Sequence, residues 1–283
     1  MISKINLSAY SWKIINILSF VIVSLITKSF IHECSIFEIF FILKFTAMVI
    51  TFLIYKKNYS KNPKIYTDYF SVSRAIVNIC ALTLWFLAIR KMDISDATIL
   101  SYTTPVFGIL IGILLFKEKS PRLLGFILLF GFLGCYTIIK PSFKIFPIGL
   151  MAALGSALLW AVHDSIIKMQ SKKNHPILES MFQSTFLTSL LSLPFAIKYW
   201  SFSVTSNYLL LLLCGVLSFI NLFSLGKALK QAKLTYLMPI SFLRVLFTTL
   251  GGYLFYNEII GLTELVGYAF IVLSNYILVK SKQ

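Results

Sequence analysis

Two stretches, LSYTTPVFGILIGILLFKE at residues 100–118 and ISFLRVLFTTLGGYLFYNE at residues 240–258, align with a constant offset of 140 residues. The same residue recurs at several aligned positions, namely Ser101/Ser241, Phe107/Phe247, Leu110/Leu250, Gly112/Gly252, Leu114/Leu254 and Glu118/Glu258. An apolar composition produces leucine and phenylalanine matches by itself, but it does not explain the paired glycines and glutamates. The pattern predicts an internal repeat, with one copy in residues 1–141 and a second in residues 142–283.

The composition is that of an integral membrane protein. Of the 283 residues, 58% are apolar and 13% are charged, whereas a soluble globular domain has about 25% charged residues. The apolar residues form blocks near twenty residues long, enough for a helix to cross a bilayer core of about 30 Å. We expect ten spans, near residues 12–31, 36–55, 69–89, 95–116, 122–139, 146–167, 177–197, 207–226, 234–256 and 260–279. The first span is interrupted by Lys13 and Lys28, and we interpret it as a retained helix because no small-x-small cleavage site follows it.

The loops differ in their content of Lys and Arg. If the N-terminus is cytoplasmic, seventeen of these residues lie on the cytoplasmic side and six on the other. Because cytoplasmic loops retain Lys and Arg, we expect both termini in the cytoplasm and the chain in the cell inner membrane. The net charge of +16 is spread over these short loops, so the bilayer rather than a nucleic acid is the expected partner. The four cysteines lie far apart and predict no metal site, and no cofactor is expected.

Each predicted repeat contains five spans. Because five is odd, the second repeat enters the membrane upside down relative to the first. Inverted repeats are typical of secondary transporters, whose substrate site lies near the midplane between the repeats. The predicted fold is therefore an all-α polytopic membrane protein with ten transmembrane helices in two inverted five-helix repeats. The sequence has no phosphate-binding loop, so a gradient or an exchange is expected to drive transport.

Several motifs are similar to those of a known transporter family. They are RAI at 74–76, WFLAIR at 85–90, SYTTPVF at 101–107, FKE at 116–118, FLR at 242–244 and GGYLF at 251–255, followed by Glu258. On these motifs the whole chain resembles the EamA-type members of the drug/metabolite transporter superfamily. The resemblance implies ten helices around a central cavity, and the family includes amino-acid exporters and S-adenosylmethionine uptake proteins. Two positions depart from the family: Lys44 stands where relatives often carry Arg, and Pro239 lies six residues before the position that matches Pro105.

Polar residues inside the third and ninth spans are candidates for the substrate site, because a charged group there is costly unless it faces a cavity or a partner. Arg74, Asn78 and Trp85 share one face of a helix, and together they suit an organic anion or a zwitterion with a ring. Alternatively, Arg74 reaches the lipid headgroups and Trp85 belongs to the interfacial aromatic belt. Arg244 lies about ten residues from either end of its span, so we expect it to line the cavity, with a structural ion pair as the alternative.

The sixth span contains His163 and Asp164 just after Trp160. An imidazole beside a carboxylate is a candidate proton relay, whereas Asp164 also stands four residues before Lys168, a spacing that favours a simple helix ion pair. The predicted substrate-binding residues are Arg74, Asn78, Trp85, Tyr102, Trp160, Asp164 and Arg244, with His163 and Asp164 as the candidate relay.

Three further residues are expected to shape the helices. Glu118 and Glu258 precede apparent helix starts, where negative charge is favourable, and we interpret them as structural. Pro105 is expected to kink the fourth helix and to free a backbone carbonyl.

The predicted function is transport of a small polar or zwitterionic metabolite across the inner membrane by alternating access, with S-adenosylmethionine and an amino-acid-like compound as candidates. In the predicted site the two guanidinium groups hold a carboxylate or phosphate, the rings stack a planar group, and Asp164 meets an amine or sulfonium, because each ligand charge needs an opposite charge once water is removed. The alternative class is a membrane-embedded enzyme or a lipid-handling protein. That class needs clustered catalytic groups, but the sequence has neither His-x-x-x-His nor Gly-x-Ser-x-Gly.

Overall fold

The computed structural model describes residues 7–30, 34–59, 69–92, 94–139, 147–172, 176–200, 208–257 and 260–281. All regular secondary structure in these ranges is helical. The helices are α1 (Leu7–Lys28), α2 (Ile36–Tyr59), α3 (Tyr69–Lys91), α4 (Ile94–Ser101), α5 (Thr104–Leu114), α6 (Leu124–Ile139), α7 (Pro147–Lys172), α8 (Ile177–Lys198), α9 (Tyr208–Gln231), α10 (Leu234–Leu237), α11 (Leu243–Tyr256) and α12 (Leu262–Lys280), with a 3-10 turn at Pro239–Phe242.

Nine segments in the described ranges are long and apolar enough to cross a membrane. They correspond to nine of the ten expected spans, and the fifth expected span is the shorter apolar helix α6, with 16 residues. The prediction of an all-helical polytopic membrane protein is confirmed.

Three helices extend about five residues beyond one of their predicted ends. Helix α1 begins at Leu7 instead of residue 12, because Lys13 is buried and donates to the Asn16 side chain (3.4 Å) instead of ending the helix. Helices α7 and α9 each continue about five residues further than predicted, since their last turns are buried against protein, at Gln170 and Leu229 respectively. Hydropathy indicates contact with lipid, and it therefore misses polar turns that are covered by protein.

The helices form two compact units. Unit 1 comprises Met1–Ile79 and Ile167–Lys230, and unit 2 comprises Cys80–Ile166 and Gln231–Gln283. Each unit therefore contains segments of both predicted repeats. The repeat boundary near residue 141 concerns the sequence and stays a prediction.

The 140-residue offset reappears in the contacts inside the units. In unit 1, the side-chain amide of Asn16 donates to the Asn221 carbonyl (3.0 Å), and that of Asn221 donates to the Asn16 carbonyl (2.7 Å), which joins α1 to α9. In unit 2, the Ser156 hydroxyl donates to the Ala81 carbonyl (2.9 Å), which joins α7 to α3. Positions 156 and 81 are the offset counterparts of positions 16 and 221. The two repeats therefore form equivalent helix contacts, one in each unit.

Helices α6 and α12, which are counterparts under the offset, pack against each other in unit 2. A Cβ atom on Gly134 would lie 2.8 Å from the Gly267 carbonyl oxygen, so the two backbones are close. The Ser274 hydroxyl donates to the Ile127 carbonyl (2.6 Å). Positions 274 and 127 are the offset counterparts of positions 134 and 267. Small residues permit this approach between membrane helices.

The ends of α5 and α11 also follow the offset. Lys117 has a φ of 51° and Asn257 a φ of 53°, and no other non-glycine residue in the described part of the chain has a positive φ. A left-handed residue stops a helix and turns the chain. The repeat seen in the sequence therefore also governs where these helices end.

Candidate functional site

The fourth and ninth spans are interrupted at corresponding positions in unit 2. Helix α4 ends at Ser101 and α5 begins at Thr104, while α10 and α11 are separated by the 3-10 turn that ends at Phe242. Positions 102 and 242 are offset counterparts. In transporters built from repeats, interrupted helices at corresponding positions indicate the binding site, because unwound backbone and helix ends meet the substrate there.

Pro105 explains the interruption of the fourth span. Its ring nitrogen has no hydrogen to donate to the Ser101 carbonyl four residues earlier. The Thr104 hydroxyl donates to that carbonyl instead (2.7 Å), and the Tyr102 amide bonds three residues back to Ile99. The expected kink is therefore a two-residue interruption of the α-helical hydrogen bonding at Tyr102 and Thr103, with the proline in the first turn of α5. The freed carbonyl is bonded within the chain instead of being left for a ligand.

Arg244 is the second residue of α11 and directly follows the interruption of the ninth span. The span Leu234–Tyr256 places it ten residues from one end and twelve from the other. Tyr102 and the Asp164 carboxylate are electrostatic neighbours of its guanidinium. The interruption therefore places a cation within electrostatic range of a phenol and a carboxylate, at a depth from which a side chain cannot easily reach water outside the membrane.

His163 and Trp160 extend this group along α7. The Nδ1 atom of His163 lies 3.2 Å from Oδ1 of Asp164. The rings of Trp160 and His163 meet edge to face, with centroids 5.7 Å apart. We call Tyr102, Trp160, His163, Asp164 and Arg244 the Arg244 cluster. It is the part of the predicted site that unit 2 brings together.

The charged members of the Arg244 cluster are only partly buried. The side chain of Asp164 is 18% exposed, against 4% for His163, and Arg244 is also of intermediate exposure. A charge exposed at this depth is costly unless it faces a polar space or a partner. A guanidinium can bind a carboxylate there, a carboxylate can bind a cation, and the neighbouring indole can stack on a planar or cationic group.

Trp85 lies in unit 2 but in other surroundings. It packs against a buried cluster of small and apolar residues, namely Ala88, Met92, Ala97, Ala152 and Ala153. The structure therefore gives Trp85 a packing contact, and its role at the substrate site stays a prediction.

Arg74 and Asn78 belong to unit 1. Arg74 is 2% exposed, and its Nη1 donates to Oε1 of Gln170 at 3.5 Å. Gln170 donates to the Ser71 hydroxyl (3.1 Å), which donates to Oε1 of Gln183 (2.8 Å). Arg74 is thus enclosed by protein, contrary to the alternative that it reaches lipid headgroups. The Asn78 side chain is 3% exposed, and its Oδ1 accepts no hydrogen bond from the described residues.

The partners of Arg74 were not predicted from the sequence. Ser71 stands three residues before Arg74 on the same helix, so its position was a usable signal. Gln170 and Gln183 come from α7 and α8, and no local pattern indicates a contact across helices. The seven-residue site as a whole stays a prediction.

Of the two glutamates interpreted as structural, Glu118 has a different partner from the one expected. The Glu118 carboxylate accepts from the Thr235 amide (3.1 Å) and hydroxyl (3.3 Å), at the start of α10. The expected partner was the helix that follows Pro121, but Glu118, which directly follows the left-handed residue Lys117, contacts α10 instead. The Lys168 ammonium donates to the Leu229 carbonyl (2.6 Å). Glu258 lies outside the described residues.

Comparison with known proteins gives consistent matches. The model of the EamA-like transporter family matches residues 7–140 and again residues 147–280. The chain is 24% identical over 258 residues to the S-adenosylmethionine uptake transporter of Rickettsia prowazekii (strain Madrid E), covering 90% of this chain and 86% of that protein. It is 27% identical over 215 residues to the pseudopaline exporter CntI of Pseudomonas aeruginosa (strain UCBPP-PA14), covering 74% of each.

Two further matches extend the comparison. The riboflavin transporter of Vibrio cholerae serotype O1 (strain ATCC 39315 / El Tor Inaba N16961) is 22% identical over 237 residues, covering 82% of this chain and 79% of that protein. A solved crystal structure has the same fold, with a TM-score of 0.83 and 18% identity over 95% of this chain and 96% of that one.

Proposed function

Because the chain belongs to the EamA-like transporter family, we propose that the small metabolite it transports is a zwitterion with a planar ring, of the S-adenosylmethionine type. The family and the named relatives are transporters, so the chain is a transporter of a small metabolite and not an enzyme. Alternating access of the substrate across the inner membrane, with both chain ends in the cytoplasm, is part of the proposal.

The observation that carries the proposal is the pairing of opposite charges in the Arg244 cluster. Arg244 has the Asp164 carboxylate as an electrostatic neighbour, and both groups are partly exposed. S-adenosylmethionine has a carboxylate, an ammonium, a sulfonium and a planar adenine. Arg244 binds the carboxylate, Asp164 binds the sulfonium or ammonium, and Trp160 stacks on the adenine. A zwitterion can thus replace water at both charges without leaving either one unpaired.

The named relatives support a ring-bearing substrate. S-adenosylmethionine and riboflavin, named for two of them, are otherwise different molecules that both contain a fused aromatic ring. An amino-acid-like compound without a ring is the remaining candidate, and Trp160 distinguishes the two classes, because only a ring gains from stacking on an indole.

His163 supports coupling of transport to protons. Its contact with Asp164 (3.2 Å) allows a proton to pass between imidazole and carboxylate. A protonated Asp164 is neutral and cannot hold a cation. Proton and cationic substrate therefore compete for one carboxylate, which is a simple way to link their movements.

Uptake by intact cells tests the substrate. Cells that express the chain should accumulate labelled S-adenosylmethionine above cells with an empty vector. Unlabelled S-adenosylmethionine should compete fully, and methionine and adenosine only weakly, because each carries part of the recognised groups. Trp160→Ala should reduce uptake about tenfold, by removal of a stacking contact of about 1–1.5 kcal/mol. Full competition by methionine alone, with no effect of Trp160→Ala, would favour the amino-acid-like substrate and contradict the proposal.

A further inference from the structure

Lys44 carries a positive charge inside the second span. It lies eight residues after Ile36, where α2 begins, and fifteen residues before Tyr59, where α2 ends. At a rise of about 1.5 Å per residue, the nearer end of the helix is about 12 Å away along its axis. Because this segment is long and apolar enough to cross a membrane, the lysine needs a polar partner inside the protein.

The contacts of the Lys44 ammonium do not balance its charge. Its Nζ atom lies over the Phe40 ring, 5.2 Å from the centroid. Its electrostatic neighbour is Arg74, which is also a cation. Within the described ranges, Lys44 forms no ion pair and its ammonium donates no hydrogen bond. Lys44 is of intermediate exposure, so the surrounding helices leave part of its surface open.

Ring contacts fix how α2 lies against α8 in unit 1. Near the start of α2, Phe37 stacks on Phe195 and Tyr199 at the end of α8, with centroids 5.7 and 5.4 Å apart. Further along α2, Phe52 contacts Phe182 near the start of α8, at 5.7 Å. The two helices are therefore antiparallel neighbours, and each step forward along α2 corresponds to one step backward along α8.

This register places Lys44 beside the middle of α8. Lys44 is seven residues after Phe37, which is two helical turns, so both side chains share the face of α2 that meets α8. In the same way, Ser189 is seven residues after Phe182 and shares the face of α8 that meets α2. Counting from either ring contact places Lys44 opposite about residue 190. Ser189 and the preceding Thr188 therefore lie at the level of the lysine.

The hydroxyls of Thr188 and Ser189 are buried without partners. The two residues are 1% and 4% exposed, and neither hydroxyl forms a hydrogen bond with the described part of the chain. On the same helix, the Thr185 hydroxyl donates to the Met181 carbonyl (2.7 Å), which is a common bond for a hydroxyl in a helix. A buried hydroxyl without a partner is costly. Two of them at the level of an unbalanced ammonium indicate a ligand that accepts hydrogen bonds.

A small anion satisfies all three groups. It accepts from the ammonium and from both hydroxyls, and it balances the positive charge. A water molecule satisfies the hydroxyls but leaves the charge unbalanced. The headgroup of a lipid stays near the membrane surface, about 12 Å away along α2. Because α2 and α8 are closely packed, a monatomic ion fits between them better than an organic carboxylate does.

We propose that Lys44, Thr188 and Ser189 form a binding site for a small inorganic anion, with chloride as the physiological ligand. The anion balances the charge of Lys44 and holds α2 against α8. This site is separate from the Arg244 cluster, which belongs to unit 2, and it does not depend on the identity of the transported metabolite.

Thermal unfolding of the full chain in phosphatidylcholine nanodiscs tests the site. Sodium chloride is compared with sodium gluconate at equal ionic strength. At a chloride concentration about ten times Kd, the unfolding midpoint should be about 3–6 °C higher than in gluconate, and bromide should act like chloride because it is also monatomic. Equal midpoints of the wild type in chloride and gluconate would overturn the proposal.

Lys44→Met distinguishes loss of the site from loss of folding. The variant keeps the length of the side chain and removes its charge, so the shift caused by chloride should disappear. In gluconate the variant should be at least as stable as the wild type, because no unbalanced charge remains inside the protein. Lys280→Met is the control, since Lys280 also lies over a ring (Tyr276, 4.8 Å) but is exposed. A chloride shift that persists in Lys44→Met would place the anion elsewhere and overturn the proposal.

Substitution of the hydroxyls tests the rest of the site. Thr188→Val and Ser189→Ala should each raise the half-stabilising chloride concentration about fivefold or more, through loss of a hydrogen bond to a charged ligand. Thr185→Val is the matched control on the same helix, because its hydroxyl already has a backbone partner, and it should change this concentration by less than about twofold. An unchanged concentration in both hydroxyl variants would contradict the site.

Two further outcomes separate this site from the proposed function. If the wild type takes up no S-adenosylmethionine but the chloride shift is present and requires Lys44, the anion site stands and the proposed substrate is wrong. If L-methionine in gluconate stabilises the wild type more than chloride does, and Lys44→Met removes that effect, the site receives an organic carboxylate and the inorganic-anion proposal is overturned.

Discussion

Replacement of Gly131 by alanine is predicted to impair transport more than folding. A Cβ atom at Gly131 would lie 2.4, 2.5 and 2.9 Å from three carbons of the Phe242 ring. Ordinary carbon contacts are about 3.5–4.0 Å, and Phe242 is fully buried, so the ring must move by about 1 Å. Such overpacking destabilises the folded protein by about 1–3 kcal/mol. The higher helix propensity of alanine offsets about 1 kcal/mol of this loss. The net loss of stability is therefore about 0–2 kcal/mol.

The displacement should reach Arg244. Phe242 ends the 3-10 turn and stands two residues before Arg244. A binding group must be held within about 0.5 Å of its productive position, so a shift of about 1 Å in the preceding ring is expected to lower kcat/KM for uptake about tenfold or more.

Two variants make this test specific. Gly125→Ala changes the same helix, but a Cβ atom at Gly125 meets no atom within 4 Å, so it should transport normally and be equally or more stable. Phe242→Leu in combination with Gly131→Ala removes the clash and should restore part of the uptake. Thermal unfolding and initial uptake rates are measured at matched amounts of inserted protein. If Gly131→Ala equals Gly125→Ala in both measurements, Phe242 does not control the position of Arg244.

Three further predictions concern the repeats, the coupling and the orientation. Asn16→Ala removes an interhelical hydrogen bond (3.0 Å) and should cost about 1 kcal/mol of stability in bicelles, while the counterpart Ser156→Ala should cost about 0.5 kcal/mol; no loss in either would show that these contacts do not hold the helices together. His163→Gln should lose gradient-driven accumulation and keep exchange of labelled for unlabelled substrate, and equal loss of both activities would rule out a relay. Reporter fusions should all give a cytoplasmic signal when they follow Lys64, Lys119, Lys173, Lys233 or Gln283. A periplasmic signal at the C-terminus would contradict the ten-span topology.

The membrane fold could be predicted because its signals are local. Hydropathy over about twenty residues identifies a span without knowledge of its neighbours. The repeat was visible because residue types such as glycine recur at corresponding positions, as at Gly112 and Gly252. The structure extends the repeat to the left-handed residues Lys117 and Asn257. The interruption at Tyr102 was only partly predictable. Pro105 indicates a defect in the fourth helix, but Pro239 lies six residues from the corresponding position, so the two interruptions did not appear equivalent.

The surroundings of the predicted site residues could not be obtained from spacing. Arg74 and Trp85 share a face of one helix by periodicity, yet Arg74 contacts Gln170, and Trp85 packs beside Ala88. Spacing along a helix fixes which residues point the same way and does not determine which helix covers them. The grouping of Arg244 with Asp164 could not be predicted for the same reason, because it depends on how α7 and α11 pack within unit 2.

Binding of the substrate carboxylate by Arg244 can be tested by uptake of labelled S-adenosylmethionine into proteoliposomes. These contain equal amounts of wild type, Arg244→Ala, Arg244→Lys or the control Arg122→Ala. Arg244→Ala should abolish uptake, Arg244→Lys should restore only part of it because a point charge cannot replace the planar fork, and Arg122→Ala should behave as wild type. Normal uptake by Arg244→Ala would show that Arg244 does not bind the substrate and is instead a structural partner of Asp164.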